Sequence, residues 1–466
     1  MCDPVAVGPR HHIPSATSGS YPQRPGNLVR PLVDEVAIFR RVAQAIEEAR
    51  HSIWLTVTFF ASDFCFPDGR GSLFDILNRA TARGLDVRVL FWRPNAESSG
   101  YGRAFAGSPP DRTMLQDRGV RFRIRWDRAT ADFCQHQKSW LIDAGWPSET
   151  AFVGGANLTA AALGSPGHFG GSQRHDVHVE VTGPSATDVH HNFVQRWNEA
   201  SERSREDGNW ICSRDDVLPF PTRSSEPRGS SSVQVQRMLY PGRYTDGRPT
   251  PGGSLFDVAA GERSILQQYE LAIGAARRTI YIENQAIPIR CVADRLNRAL
   301  ERGVDVVLLV PAIPEDNVYA ARLDPRRAAL FDGLVALGRQ QKFLLSGIAG
   351  PTRDGSRSAT CVHAKLMLID DEWATIGSCN LHSNSLSGHS EMNVAVWDPL
   401  VVRELRCTLF AEHLGIYTAR LDDRGALALY RRIAQENAGK GENCDFDWQG
   451  IAFALSPDAY GRIASR

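Results

Sequence analysis

Lysine is scarce in this chain. Of 53 basic residues in a 466-residue sequence, four are lysine and 49 are arginine. Other shortages set bounds. The nine cysteines are scattered, odd in number and without a CxxC pair, which argues against a disulfide framework or a cysteine zinc site and fits a reducing compartment. No run approaches the roughly 20 apolar residues that cross a bilayer. The first residues, MCDPVAVGPRHHIPSATSGSYPQRPGN, lack the apolar core of a secretory signal. Formal net charge is zero, with a pI near 7.2, so no large electrostatic footprint for nucleic acid is expected. The expected location is the cytoplasm or a membrane surface met from the water side, and any export would use a route without a signal peptide.

What is present is a duplication. Apolar content of 42% and charged content of 23% are those of an ordinary globular protein, and the length suggests two domains. Residues 45–56, AIEEARHSIWLT, match residues 272–283, AIGAARRTIYIE, at an offset of 227. His136 and His363 stand 227 residues apart as well. In each half, between the first match and the histidine, Leu77-Asn-Arg-Ala80 and Arg83-Gly84 match Leu296-Asn-Arg-Ala299 and Arg302-Gly303 at an offset of 219, which puts about eight extra residues in the first half, around FCFPDGRG. A period this long means duplicated domains, not a solenoid.

Each half predicts an amphipathic helix (36–50; 264–277), an apolar strand (53–60; 279–283), a helix closed by Arg-Gly, and a further strand (87–92; 306–310). Interleaved helices and strands indicate α/β halves with mainly parallel or mixed sheets. The expected division is a disordered tail over 1–27, a first lobe over 28–201, a connector over 202–232, a second lobe over 233–436 and a tail over 437–466. Three stretches rich in Gly, Pro and Ser (94–112, 160–175, 241–254) are candidate rims of a cleft.

Two of the four lysines occupy equal places in the repeated pattern: His136-Gln-Lys138-Ser-Trp-Leu-Ile-Asp143 and His363-Ala-Lys365-Leu-Met-Leu-Ile-Asp370. Where arginine serves almost everywhere else, lysine here suggests that a compact ammonium is needed. His and Lys two apart on a strand share a face. A neutral imidazole can attack phosphorus, a protonated one can supply a proton to a leaving oxygen, and an ammonium can neutralise a phosphate oxygen. One copy holds half of that set; two copies across a pseudo-two-fold axis would hold all of it. Small-residue turns ending in Asn157 and Asn380 follow, suited to close approach of backbone and amide to a phosphate. Asp176 and Glu391 are candidate carboxylates for orienting the imidazoles. Asp143 and Asp370 complete the pattern and are counted with the catalytic set, although an acid closing an apolar strand also suits a turn. Cys134 and Cys361, each two residues before a histidine, read as small strand fillers. His168, His175, His178, His190 and His191 cluster along the sequence without the spacing of a metal set, and read as rim or helix-face residues.

These residues resemble the phospholipase D superfamily. Its signature, HxKx4Dx6GSxN, is met by His363, Lys365, Asp370, Gly377, Ser378 and Asn380. In the first copy ten residues separate Asp143 from Gly154, and Gly155 replaces Ser. The insertion AGWPSE reads as a longer hairpin tip. Tyr281-Ile-Glu-Asn-Gln285 is similar to a segment of eukaryotic-type phospholipases D, as are Ala151–Gly155, Phe193–Trp197 and Glu412–Gly415. The resemblance spans about residues 28–420. It implies two α/β/α lobes with mixed sheets and the active site at their pseudo-two-fold interface. It implies that His136 forms a phosphohistidine while His363 acts as acid and base. Lys138, Lys365, Asn157 and Asn380 would hold phosphate oxygens, Asp176 and Glu391 would orient the histidines, and no metal or other cofactor would be needed. The implied activity is a phospholipase D hydrolysing, and transphosphatidylating, the distal phosphodiester of glycerophospholipids. The alternatives are a cardiolipin-synthase-like phosphatidyltransferase and a non-lipid phosphodiesterase or nuclease. Implied partners are a phospholipid at a membrane surface and water or a small alcohol, with no nucleic acid and a monomeric chain.

Overall fold

The computed structural model describes residues 11–160, 163–171, 173–325, 327 and 329–462. The first half runs β1 (Arg24–Val33), α1 (Glu35–Glu48), β2 (Ser52–Val57), α2 (Leu73–Ala82), β3 (Asp86–Trp92), β4 (Arg123–Asp127), β5 (Ser139–Ile142), β6 (Thr150–Gly154), β7 (Arg174–His175), β8 (Val177–Thr182), α3 (Ala186–Asn198) and β9 (Asn209–Trp210). The second half runs β10 (Ser231–Leu239), α4 (Ser264–Ala275), β11 (Thr279–Asn284), α5 (Arg290–Glu301), β12 (Asp305–Leu309), β13 (Phe343–Pro351), β14 (Cys361–Val362), β15 (Lys365–Ile369), β16 (Trp373–Gly377), β17 (Glu391–Trp397), α6 (Pro399–Leu414), α7 (Asp423–Glu442) and β18 (Ala452–Ala454).

The two halves have one topology. The first sheet is ordered β1-β8-β6-β5-β2-β3-β4-β9, parallel at β2-β3 and β3-β4 and antiparallel elsewhere. The second is ordered β10-β17-β16-β15-β11-β12-β13-β18, parallel at β11-β12 and β12-β13. Local signals explain the repeat. α1 buries Ile38, Phe39, Val42, Ala43 and Ile46 along one stripe. After α2 and α5 the chain turns at Gly84 and Gly303, with φ of 86° and 89°, a conformation that favours glycine. The FCFPDGRG excess is a small hairpin, Cys65–Phe66 against Gly71–Ser72. AGWPSE forms the expected tip between β5 and β6, where Trp146 stacks on His51 at 3.7 Å.

Helices α1 and α2 cover one face of the first sheet, and α4 and α5 the matching face of the second. The remaining faces share one core. Val153, Val177 and Val179 of the first lobe join Ile376, Val394 and Val396 of the second, together with residues of α3, α6 and α7. Fully burying one such aliphatic side chain is worth about 1.5–3 kcal/mol, so the seam is built as an interior. Main-chain pairing crosses it too. β1 meets β10 at Arg24↔Val233 and Asn27↔Ser231, and β7 lies parallel to β14 at Cys361↔Arg174 and Val362↔His175. No helix among the described residues is long and apolar enough to cross a membrane.

Three expectations need correction. Residues 1–10 of the expected disordered tail lie outside the described residues, but from residue 11 the chain packs onto the second lobe. Ile13 and Tyr21 are buried, Gln234 donates to the carbonyls of Ala16 and Tyr21, and β1 already begins at Arg24. The tail expected from residue 437 is part of the second lobe: α7 runs through 436 to Glu442, Asn437 donates to the carbonyls of Gln449 and Ala452, and β18 extends the sheet. Nothing in composition separates a tail that donates to a body from one that does not.

The third concerns Asp143 and Asp370, counted above with the catalytic set. Both sit at the far ends of β5 and β15 from the histidines, in left-handed turns with φ of 54° and 57°. Asp143 accepts from the main-chain N–H groups of Arg50, His51 and Ser52 at 3.0, 2.7 and 3.2 Å. Asp370 accepts from Arg277, Arg278 and Thr279 at 2.9, 2.7 and 2.8 Å. Each fastens the turn into β2 or β11 against the end of the His-Lys strand. Asp370→Ala leaves three main-chain donors unpaired, each costing about 1–3 kcal/mol. We predict a loss of about 3 kcal/mol or more in denaturant unfolding; a loss below about 1 kcal/mol would show the clamp to be dispensable.

Candidate active site

Each histidine segment runs beside the other lobe's acidic segment. Gln135 bridges to Ser390, and the His136 N–H donates to the Ser390 carbonyl at 2.9 Å. In the mirror position the His363 N–H donates to the His175 carbonyl at 2.8 Å, continuing the β7-β14 pairing. Register therefore puts His136 beside Glu391 and His363 beside Asp176. His136 Nδ1 lies 2.9 and 3.0 Å from the two Glu391 oxygens, and His363 Nδ1 lies 2.6 Å from Asp176 Oδ2. The orienting carboxylates are exchanged between lobes, which the sequence did not indicate.

The rest of the predicted set converges here. Lys138 Nζ donates to the His136 carbonyl at 2.8 Å and lies over the Phe59 ring. Lys365 Nζ donates to the His363 carbonyl and to Gln285 Oε1, the latter at 3.0 Å. Asn157 Nδ2 is 3.5 Å from His363 Nε2, so a first-lobe amide reaches the second-lobe ring. The side-chain oxygens of Asn157 and Asn380 are buried without a hydrogen bond. His136 is 6% exposed and His363 3%, a nearly dry pair.

The environments of the pairs differ. Glu391 accepts hydroxyl hydrogen bonds from Ser378 and Ser385, both at 2.5 Å, besides the imidazole. Asp176 has its own neighbour's main-chain N–H, Val177, at 2.8 Å. Gly155 stands where Ser378 stands in the second lobe, and a Cβ there would sit 2.5 Å from Asp176 Oδ1, so the departure from the signature makes room for the shorter acid. Burial pushes the Asp176 carboxyl up to about 7 and raises Glu391 as well, against the pull of nearby cations. Burial, then the neighbouring ammoniums, hold both imidazoles well below their ordinary value. Burial also lowers Lys138 to about 7 and Lys365 to about 8, partly offset by Glu391 and Asp176.

The two imidazoles lie near enough to act on each other electrostatically, each with its Nδ1 held by a carboxylate, two ammoniums flank them, and two buried amide oxygens lack a donor. Several contributors were not singled out from sequence: Gln285 on Lys365, Ser385 on Glu391, and Phe59, His382 and His389 around His136, with the His389 ring 5.8 Å from that of His136. Gln285 lies in the Tyr281–Gln285 segment, His382, Ser385 and His389 lie between Asn380 and Glu391, and Phe59 follows β2. Of the candidate rims, 94–112 reaches the site, since Tyr101 packs edge-on against His389 at 5.3 Å. The stretch 241–254 instead reaches the end of β4, through Arg243 to Asp127, and α3, through Thr250 to Asp188.

Comparison with known proteins agrees with this geometry. A family model described as "Cardiolipin synthase, PLD-like domain" matches residues 42–197 and 270–412, and one described as "Phospholipase D" matches 170–288. A cardiolipin synthase of Listeria monocytogenes serotype 4b is 24% identical over 408 residues, covering 84% of this chain and 70% of that protein. Cardiolipin synthase A of Pseudomonas entomophila is 27% identical over 393 residues, covering 82% and 67%. The crystal structure of phosphatidylserine synthase from Haemophilus influenzae Rd KW20 superposes with a TM-score of 0.52 at 15% identity, over 90% of this chain and 95% of that one, a likeness of fold.

The lowered lysines give a pH prediction. A phosphate oxygen is neutralised by the ammonium form, which in the free protein is lost as pH rises through about 7 for Lys138 and about 8 for Lys365. A phosphodiester stays monoanionic over that range. Affinity for a short-chain phosphonolipid, followed by titration calorimetry, should fall as pH rises above about 7, with protons taken up on binding. A flat profile through about pH 9 would mean the ligand does not rely on these ammoniums.

Proposed function

The chain belongs to the phospholipase D superfamily, and from that premise we propose that it is a phosphatidyltransferase that moves a phosphatidyl group from a glycerophospholipid to a lipid hydroxyl, in the manner of a cardiolipin synthase. The observation that carries the reading is the exchanged pair of imidazole–carboxylate contacts with both lysines at the same seam. The names of the relatives support a synthase over the hydrolase that the motifs alone suggested. The near-dry site also favours an alcohol brought in with its lipid over bulk water.

In the proposed reaction Glu391 holds the Nδ1–H of neutral His136, leaving the Nε2 lone pair free. That nitrogen attacks phosphorus; the bond from phosphorus to the head-group oxygen breaks as His363 gives that oxygen its proton. The products are a phosphohistidine and a free alcohol. A second hydroxyl then passes its proton to His363 and attacks phosphorus, the P–N bond breaks, and His136 is restored. Lys138, Lys365, Asn157 and Asn380 hold the non-bridging oxygens, where charge increases in the transition state. The Asp176–His363 pair is the one placed to carry a proton near neutrality, since Asp176 has the poorer donor set and the raised carboxyl. The substrate surface is a membrane approached from outside the bilayer.

A second reading, hydrolysis, shares the phosphohistidine and differs only in the acceptor. Vesicles of phosphatidylglycerol alone should give cardiolipin and glycerol; phosphatidic acid as the main product would favour hydrolysis, and neither product, with phosphatidylcholine and ethanol equally inert, would sink both. His136→Ala and His363→Ala should each lower turnover by at least about 100-fold, with the double variant little worse than either, because the two act in one cycle. Residual activity of about a tenth in either variant is too high for these roles.

A further inference from the structure

Behind Asp176, away from the catalytic space, a second polar cluster is sealed in the seam. Asp34 lies between β1 and α1, His168 and His175 come from the first lobe's loop and β7, and Glu412 comes from α6 of the second lobe. Asp34, His168 and His175 are fully buried. One ligand atom from each of the four lies within 4.8 Å of every other. Asp34 Oδ1 is 2.8 Å from His175 Nδ1 and 3.6 Å from His168 Nε2, which is 3.0 Å from Glu412 Oε1.

We propose that Asp34, His168, His175 and Glu412 form a tetrahedral site for a divalent transition-metal ion, zinc by preference, that ties the two lobes together. Bonds of about 2.0–2.2 Å in a tetrahedron require ligand atoms about 3.3 Å apart, the middle of the spread seen here. Hydrogen bonding satisfies only part of the cluster, through His175 Nδ1 and Asp34 Oδ1. Both ring nitrogens of buried His168 and the second oxygen of Asp34 lack a hydrogen bond, although His168 Nε2 is close to Glu412. Two donors that approach without aligning on each other point at a common third centre. Asp34 and His168 also hold φ of 64° and 47°, strain that a buried non-glycine residue keeps only when its surroundings fix it.

The outer contacts fit. A ligating histidine donates its other N–H to a carboxylate, and His175 Nε2 lies 2.9 Å from Glu283 Oε2, whose other oxygen accepts from the Tyr281 hydroxyl at 2.7 Å. Glu412 Oε1 accepts from the Gly167 N–H at 3.1 Å. Borderline imidazole–carboxylate donors suit zinc better than calcium or magnesium. Neighbouring sequence spacing gave no hint, because Asp34 and Glu412 are far apart in the chain. The site touches the catalytic machinery through main chain: His175 precedes Asp176, and the Asp34 N–H donates to the Asp176 carbonyl at 2.9 Å. The ion would be a positioning element, holding the segment that orients His363.

The test is metal content of the full chain, purified without chelator, loaded with zinc and freed of excess by gel filtration. Close to one equivalent per chain is expected. His168→Ala combined with Glu412→Gln should lower it by about tenfold or more, while His190→Ala should retain it. Less than about a tenth of an equivalent in the wild type, or full retention in the double variant, overturns the proposal. Should the double variant fail to fold, cobalt-loaded wild type decides: tetrahedral d–d absorption supports the site, and octahedral absorption or none overturns it.

Discussion

Neither His136 nor His363 is oriented by its own lobe. The Nδ1 of each is held by a carboxylate that enters from across the seam, and the main-chain bonds next to it, Gln135 to Ser390 and Val362 to His175, fix that crossing in register. A shift of one lobe by a single residue would turn each acid to the opposite face of its strand and leave a buried carboxylate without a partner. The geometry of the site is thus a property of the seam, and the seam must be rigid before any chemistry can follow.

The packing meets that demand. The two sheets share one apolar core, and β1 pairs with β10 at the axis, so sliding would break both side-chain and main-chain contacts at once. Close approach depends on residues without side chains. A Cβ on Gly154 would overlap the His178 ring at 2.2 Å, and one on Gly377 would meet Asn393 Oδ1 at 2.2 Å. The glycines of the signature therefore serve as much to let strands close around the acids as to admit a ligand.

Most of the fold was legible because duplication doubles every signal. Helix stripes, Arg-Gly stops and the His-Lys strands occurred twice in one order, and the paired topologies follow from them. The site residues that carry a repeat were legible for the same reason. What escaped was whatever depends on contacts between distant segments. Sequence could propose Asp176 and Glu391 as partners, but not that each serves the other lobe's histidine. It placed Asp143 and Asp370 in a chemical motif, whereas the main-chain donors at residues 50–52 and 277–279 make them clamps. It read His168 and His175 as rim or helix-face residues, whereas both are buried and their neighbours in space are Asp34, Glu283 and Glu412. The terminal segments failed on composition: Pro, Gly and Ser near the start suggested disorder, yet Ile13 and Tyr21 supply enough apolar surface to dock it.

The symmetry of the frame is broken where the chemistry asks for it. A phosphodiester presents two similar oxygens, and a two-fold frame of lysines and amides suits them. Attack and proton delivery, by contrast, need imidazoles in different protonation states. Identical pairs can share a single proton, and unlike surroundings bias which of the two holds it. Here the second lobe supplies a longer acid with two hydroxyl donors, which lets Glu391 remain an acceptor for His136. The first supplies Asp176 with a glycine in place of the serine and one main-chain donor, and burial raises its hold on a proton against the pull of Lys365 and the Val177 N–H. The replacement of Ser by Gly155 is in space one of the differences that give the two imidazole–carboxylate pairs unlike surroundings.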